Sequence, residues 1–213
     1  MQLQSVLRLA VSASAVAMVM AAAPAHAQVV TYTGPPIPIV PDINGLYLNV
    51  VSGASANGSV AGWDINIYNN QVNVGGLELT FWAADGGGYV GSGSEVSLLA
   101  PGTVVGPASS FLTTPNIAGG YSGLAFTGTT GFFGFRFLNG TGASATTHFG
   151  WAELSGGPSD GFPAAILSYA FQATPNMSIT VVPEPATYAL MALGLAAVGG
   201  IAARRRKAAN TTA

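Results

Sequence analysis

The sequence predicts an all-β fold, an antiparallel β-sandwich or jelly-roll-like ectodomain, with an N-terminal signal helix before it and a C-terminal transmembrane helix after it. Three observations carry the β assignment. Between residues 28 and 182, short apolar runs recur between clusters of Gly, Asn, Pro and Ser, the pattern of strands and turns. No amphipathic helical period interrupts them. The chain's glycines, 29 in all, concentrate in the same stretch without a Gly-X-Y period, which sets collagen aside.

Taken in chain order, residues 1–27 read as a secretory signal peptide. Arg8 supplies the positive start, Leu9 to Ala23 the apolar stretch, and Ala25-His26-Ala27 a small-x-small site for cleavage before Gln28. The ectodomain spans 28–182 and opens on a Pro-rich extended lead over 34–41. Strands are expected over 46–51, 60–68, 77–83, 95–99, 124–127, 132–138, 147–154, 165–171 and 178–182. Alternation sets Trp63, Ile65 and Ile67 against Asp64, Asn66 and Tyr68, and sets Leu77, Leu79 and Phe81 against Glu78 and Thr80. Phe133, Phe135 and Phe137 form the strongest apolar face, and burying each stabilises by about 1.5–3 kcal/mol. They are assigned to the core, as are Trp63 and Trp82. Asn44-Gly45, Asn57-Gly58 and Asn139-Gly140 read as turns.

The tail has three parts in fixed order. Pro183-Glu184-Pro185 leads into an uncharged run from Ala186 to Ala203, followed by the basic cluster Arg204, Arg205, Arg206 and Lys207 and a polar end over 208–213. As a helix at about 1.5 Å per residue, the uncharged run reaches roughly 27 Å, enough to cross a hydrocarbon core. The basic cluster keeps its end cytoplasmic and leaves the ectodomain outside. Rich in Ala and Gly, the run makes a weak anchor, suited to temporary retention.

Charge divides the chain as sharply as hydropathy does. Only 7% of residues are charged, with 6 Lys and Arg against 8 Asp and Glu. Most of the basic residues lie in the two end segments, so Arg136 is the one permanent cation between 28 and 182. Neutralising a phosphate backbone takes several cations, so nucleic-acid binding is excluded. Cysteine is absent, which removes disulfides, thiolate metal sites and cysteine nucleophiles together.

The ordered combination of Pro183-Glu184-Pro185, a weak apolar run and a terminal Arg cluster resembles the PEP-CTERM sorting signal of Gram-negative bacteria, also called the ice-binding protein C-terminal motif. The resemblance covers 183–207. It implies recognition by an exosortase, a membrane cysteine transpeptidase that cuts at or near the motif and transfers the protein to the outer surface or extracellular matrix. The physical logic agrees: the prolines keep the segment extended and accessible just outside the membrane. A looser resemblance to PEP-CTERM ectodomains rests on Trp63-Asp64-Ile65-Asn66, the stretch from Val105 to Phe111, Gly134-Phe135-Arg136-Phe137, the stretch from His148 to Ala152, and the stretch from Leu167 to Phe171. It implies a secreted β domain and carries no catalytic residue.

A search for chemistry returns little. Gly157-Pro158-Ser159-Asp160-Gly161 matches the nucleophile-elbow pattern, but that elbow needs a strand running in and a helix running out, and the surrounding Gly and Pro read as a turn. Glu78, Glu95, Glu153, Asp64, Asp85 and Asp160 are nominal glycosidase carboxylates, with solvent-facing solubility positions the simpler reading. One mature histidine, His148, and no cysteine cannot make a structural zinc site, no regular calcium loop is present, and Asp85 before Gly86-Gly87-Gly88 reads as a surface turn rather than an irregular calcium site, so no metal or cofactor is expected. Arg136 is the most informative position. Facing away from the three phenylalanines, it shares a face with Trp151 and Glu153 in one hairpin register. The functional version is a carbohydrate platform in which Trp151 stacks on a sugar while Arg136 and Glu153 bond hydroxyls, with His148, of opposite parity, joining only from the strand end. The preferred version is a structural pair locking adjacent strands, with His148 exposed or capping.

The expected function is therefore a non-enzymatic cell-surface or matrix protein. Its expected partners are signal peptidase and exosortase, the inner membrane in transit, and exopolysaccharide of biofilm or floc. The alternatives are a carbohydrate-binding module and, behind it, a glycoside hydrolase.

Overall fold

The computed structural model describes residues 28–70, 78–113 and 120–182. The expected signal segment and the tail from Pro183 onward, and with them both expected flanking helices, lie outside the described residues. Among the described residues, no helix is long and apolar enough to cross a membrane.

The strands are Val29–Tyr32 (β1), Ile37–Ile39 (β2), Leu46–Leu48 (β3), Ser55–Ala56 (β4), Ile65–Asn69 (β5), Leu79–Ala83 (β6), Gly88–Ser92 (β7), Glu95–Val96 (β8), Val104–Val105 (β9), Phe111–Leu112 (β10), Tyr121–Ser122 (β11), Thr130–Asn139 (β12), Thr146–Gly157 (β13), Gly161–Gln172 (β14) and Ile179–Thr180 (β15). The all-β expectation holds; the sandwich is replaced by a different closure. One hydrogen-bonded path runs β1-β14-β13-β12-β7-β8-β11-β6-β5-β3-β4 and curls into a half-barrel, while β15 and β9 form a small separate ladder. The reason is β7, which pairs with β12 along one part and with β8 along another, joining what would otherwise be two sheets. Glycine makes that strand narrow enough for its neighbours: a Cβ on Gly88 would lie 2.8 Å from the Leu112 carbonyl.

Curling brings strands that are distant in the sheet face to face. Phe81 of β6 and Phe133 of β12 meet edge-on at 5.1 Å, and Phe81 also meets Tyr89 at 5.1 Å. Phe133, Phe135 and Phe137 enter this inner cluster as the alternation predicts, together with Ile65, Ile67, Leu79 and Leu154. A second cluster lies on the outer face of β12 and β13, where Phe132, Phe149 and Trp151 are covered by Val105, Ile179 and Val181 from the small ladder.

Several expectations change. The strand expected over 124–127 is a 3-10 turn, Leu124–Phe126, which drops Phe126 fully into the core and leaves Leu124 exposed. The Pro-rich lead contributes an edge strand, β2, which pairs with β14 as β1 before it does. Pro38 is tolerated there since an edge position needs no outward N–H. Trp63 and Trp82 are only half-buried, and Trp151 takes the core position instead. The three Asn-Gly turns are present, with positive φ at Gly45, Gly58 and Gly140.

Candidate functional site

The register of β12 against β13 decides the expected platform. Arg136 pairs with Phe149, Gly134 with Trp151 and Phe132 with Glu153, so Arg136, Trp151 and Glu153 do share a face. Glu153 nevertheless sits four residues beyond the partner of Arg136, about 13 Å at 3.3 Å per residue, too far for an ion pair. Arg136 instead lies over the Phe111 ring at 5.2 Å, and its Nε is buried without a hydrogen-bond partner among the described residues. Glu153 accepts a hydrogen bond from Ser168 Oγ at 3.3 Å. Trp151 is 3% exposed and packs edge-on against Phe132 at 5.5 Å, so it offers no stacking surface to a sugar. The pair locking adjacent strands is likewise not formed between Arg136 and Glu153. The cover from β9, β10 and β15 buries Trp151 and engages Arg136, and the alternation of β12 and β13 alone carries no sign of it.

His148 has the expected opposite parity but is buried rather than exposed or capping. Its Nδ1 approaches the Gln172 carbonyl at 2.8 Å and its Nε2 approaches Thr146 Oγ1 at 2.9 Å. A carbonyl only accepts, so Nδ1 carries a proton. The ring stacks on Phe137 at 5.4 Å and ties the start of β13 to the end of β14.

Three partly exposed aromatics, Tyr47, Trp63 and Trp82, stand at the other end of the sheet. Tyr47, Asn66 and Trp82 are direct partners across β3, β5 and β6 and so share one face. Trp63 meets Tyr47 edge-on at 5.1 Å. Asn66 fixes the middle of this row by donating through Nδ2 to the Asn44 and Leu46 carbonyls at 2.9 and 3.1 Å. The Tyr89 hydroxyl reaches it from the inner face, accepting from Asn66 N–H at 3.3 Å and donating to the Trp82 carbonyl at 2.9 Å.

Asp64, expected to face solvent, is 8% exposed. Burial pushes its carboxyl up to about 6, and the Val50 N–H, donating to Oδ2 at 2.9 Å, only partly offsets this. Burial likewise raises the Tyr169 phenol to about 12, with Tyr32 and Asp64 adding to the effect. Asp42 goes the other way: the Gly45 N–H and the Asn57 side chain hold its carboxyl below the usual range. Asp85, Glu95 and Asp160 are exposed and Glu78 and Glu153 half-buried. Among the described residues, no group of three or more His, Cys, Asp or Glu is placed to hold a metal ion. Ser159 lies in the turn joining β13 to β14, where Phe162 N–H donates to the Ser159 carbonyl at 2.9 Å and a strand, not a helix, follows.

Of the processing residues, Ala25 and Ala27 lie outside the described residues, while Gln28 is exposed and its carbonyl accepts from Ala173 N–H at 2.7 Å. At the other end the fold holds the chain up to Val181, which donates to the Thr103 carbonyl and accepts from Gly102 N–H, both at 2.8 Å. Pro183, Glu184 and Pro185 and the cluster from Arg204 to Lys207 lie outside the described residues.

The described residues thus form an all-β domain whose last ladder bonds lie at Val181. The family model for the PEP-CTERM protein-sorting motif matches residues 181–207, so the chain carries that sorting motif and is of the exported, membrane-transiting kind that an exosortase processes. No curated protein and no solved structure matches the chain.

Proposed function

We propose that the protein is a non-enzymatic component of the cell surface or extracellular matrix, associated with exopolysaccharide. In this reading it is held in the inner membrane by its tail until an exosortase cuts at or near Pro183-Glu184-Pro185. The observation that carries the reading is the sorting motif beginning at residue 181, where the last ladder bonds of the fold end. Fractionation of the native host tests it. The intact chain is expected at the surface or in the medium, and a chain with alanine at 183, 184 and 185 in the inner membrane. Equal retention of both forms in the inner membrane overturns the sorting reading.

A second reading, a carbohydrate-binding module, is favoured by the row Tyr47, Asn66 and Trp82. Half-exposed aromatic rings suit the apolar face of a sugar, while the buried Asn66 amide, bonded to the Asn44 and Leu46 carbonyls, holds the row in place. Its site differs from the platform expected around Trp151. A glycan array probed with the processed protein distinguishes the readings: binding that is lost in Trp82→Ala supports the module, and no binding to any glycan removes it.

A further inference from the structure

The layer over the outer cluster is built from residues 97–112 and 173–182, and neither stretch contains a charged residue. Within the β9–β15 ladder the faces alternate cleanly. Val105, Ile179 and Val181 point inward and are at most 4% exposed, whereas Val104 is 58% and Val182 48% exposed, with Thr180 between them on the same side. Met177, just before β15, is 46% exposed. Large aliphatic groups therefore face outward on a ladder whose other side is fully packed.

The chain leaving this ladder has little slack. Only Pro183, Glu184 and Pro185 separate Val182 from Ala186, where the uncharged run begins. Four steps at no more than about 3.6 Å reach roughly 14 Å. The headgroup layer on one side of a bilayer is itself about 5–8 Å deep. A domain tethered at that distance presents its ladder end to lipid. The two covering stretches carry no carboxylate of their own, and the acid nearest the ladder face along the chain is Glu184 of the tether. A second copy is a poorer occupant, since a stable dimer buries about 800 Å² per partner, far more than a few side chains on a ladder of two-residue strands.

We propose that in the membrane-held precursor the outward face of the β9–β15 ladder, formed by Val104, Thr180 and Val182 with Met177 beside it, rests on the phospholipid interface and is released when the tail is cut. This rests on the membrane-held precursor of the sorting reading. Its role is orientation: the ladder fixes which side of the domain faces the bilayer while the Pro-Glu-Pro segment is presented to the processing enzyme.

Because the chain has no cysteine, single-cysteine probes are clean. The full chain is reconstituted in phosphatidylethanolamine/phosphatidylglycerol vesicles and labelled with an environment-sensitive fluorophore at Val104→Cys, at Thr180→Cys as a second position on the same face, and at Ser55→Cys on β4 as reference. Headgroup-region spin-labelled lipid is expected to quench the probes at 104 and 180 strongly and the probe at 55 weakly. Quenching at 104 and 180 is expected to disappear in a chain ending at Val182. Val182→Asp, added to the Thr180→Cys chain, is expected to abolish quenching while the chain still floats with the vesicles. Far-UV circular dichroism checks that each variant keeps its strands. A chain that floats with vesicles but shows equal quenching at 104, 180 and 55 overturns the ladder contact and leaves the sorting reading standing. A chain that does not float overturns the membrane-held precursor, and the contact with it.

Discussion

The two faces of β12 and β13 are both aromatic, yet they are buried in different ways. The inner face packs Phe133, Phe135 and Phe137 against residues from strands at both ends of the sheet, so each ring is fixed by many neighbours of distant sequence. The outer face packs Phe132, Phe149 and Trp151 under a cover of two-residue strands and connecting turns. The inner core specifies the fold; the outer cover depends on a few aliphatic contacts and can adjust when one is lost.

The sharpest separation of the faces comes from truncation. Phe133→Ala is expected to cost about 3–5 kcal/mol, because a rigid half-barrel cannot close over the void. Ile179→Ala in the cover should cost about 2 kcal/mol, at the low end for its type, because short strands can settle inward. Chemical denaturation measures both, and equal costs would show that the cover is as rigid as the core.

Asp64 provides a test with a pH signature. Its folded value of about 6 lies above the ordinary 3.8, so the folded protein holds that proton more tightly than the unfolded chain. This contribution increases stability as pH falls through about 6 and levels off below 3.8; above about 6 the buried charge is a penalty. Asp64→Asn is expected to be more stable than the parent at pH 8, with the advantage shrinking towards pH 4. Melting temperatures across that range check it, and a constant difference would mean that the carboxyl titrates normally.

The smallest effect is expected at Arg136. Its stacking on Phe111 is worth about 0.5–1 kcal/mol, whereas a buried unpaired polar group costs about 1–3 kcal/mol. Arg136→Met, which keeps the apolar stem, should therefore leave stability unchanged or slightly higher. A loss of more than about 1 kcal/mol would show that the guanidinium is held by more than Phe111.

Which features were legible in the sequence follows the same division. Period-two alternation identified the inner face, because Phe133, Phe135 and Phe137 sit on a long strand whose neighbours follow the same rule. It gives the strand over 178–182 that contains β15, but not the rest of the outer cover. Val104–Val105 and Phe111–Leu112 are too short to show a period, and they bury Trp151 and hold Arg136 by tertiary contact. Asp64 departs from its solvent-facing expectation for a related reason: alternation places it opposite Ile65, and only the fold brings the Val50 turn over it. The strand β7 is not legible in the sequence because Gly88 and Gly91 interrupt its apolar pattern, although those glycines are what let neighbours approach. The sorting motif was legible because its meaning lies in the order of linear segments rather than in packing.

The Tyr89 hydroxyl has a dynamic consequence. Between β5 and β6 the Asn66 amide and the Trp82 carbonyl are joined through a side chain, and Tyr89 is 1% exposed among rings of the inner cluster. Solvent deuterium can reach that amide only when the aromatic cluster itself loosens, so its exchange rate reads the breathing of the whole half-barrel. Tyr89→Phe would uncouple the two, and the Asn66 amide would then exchange on the faster schedule of a local strand opening.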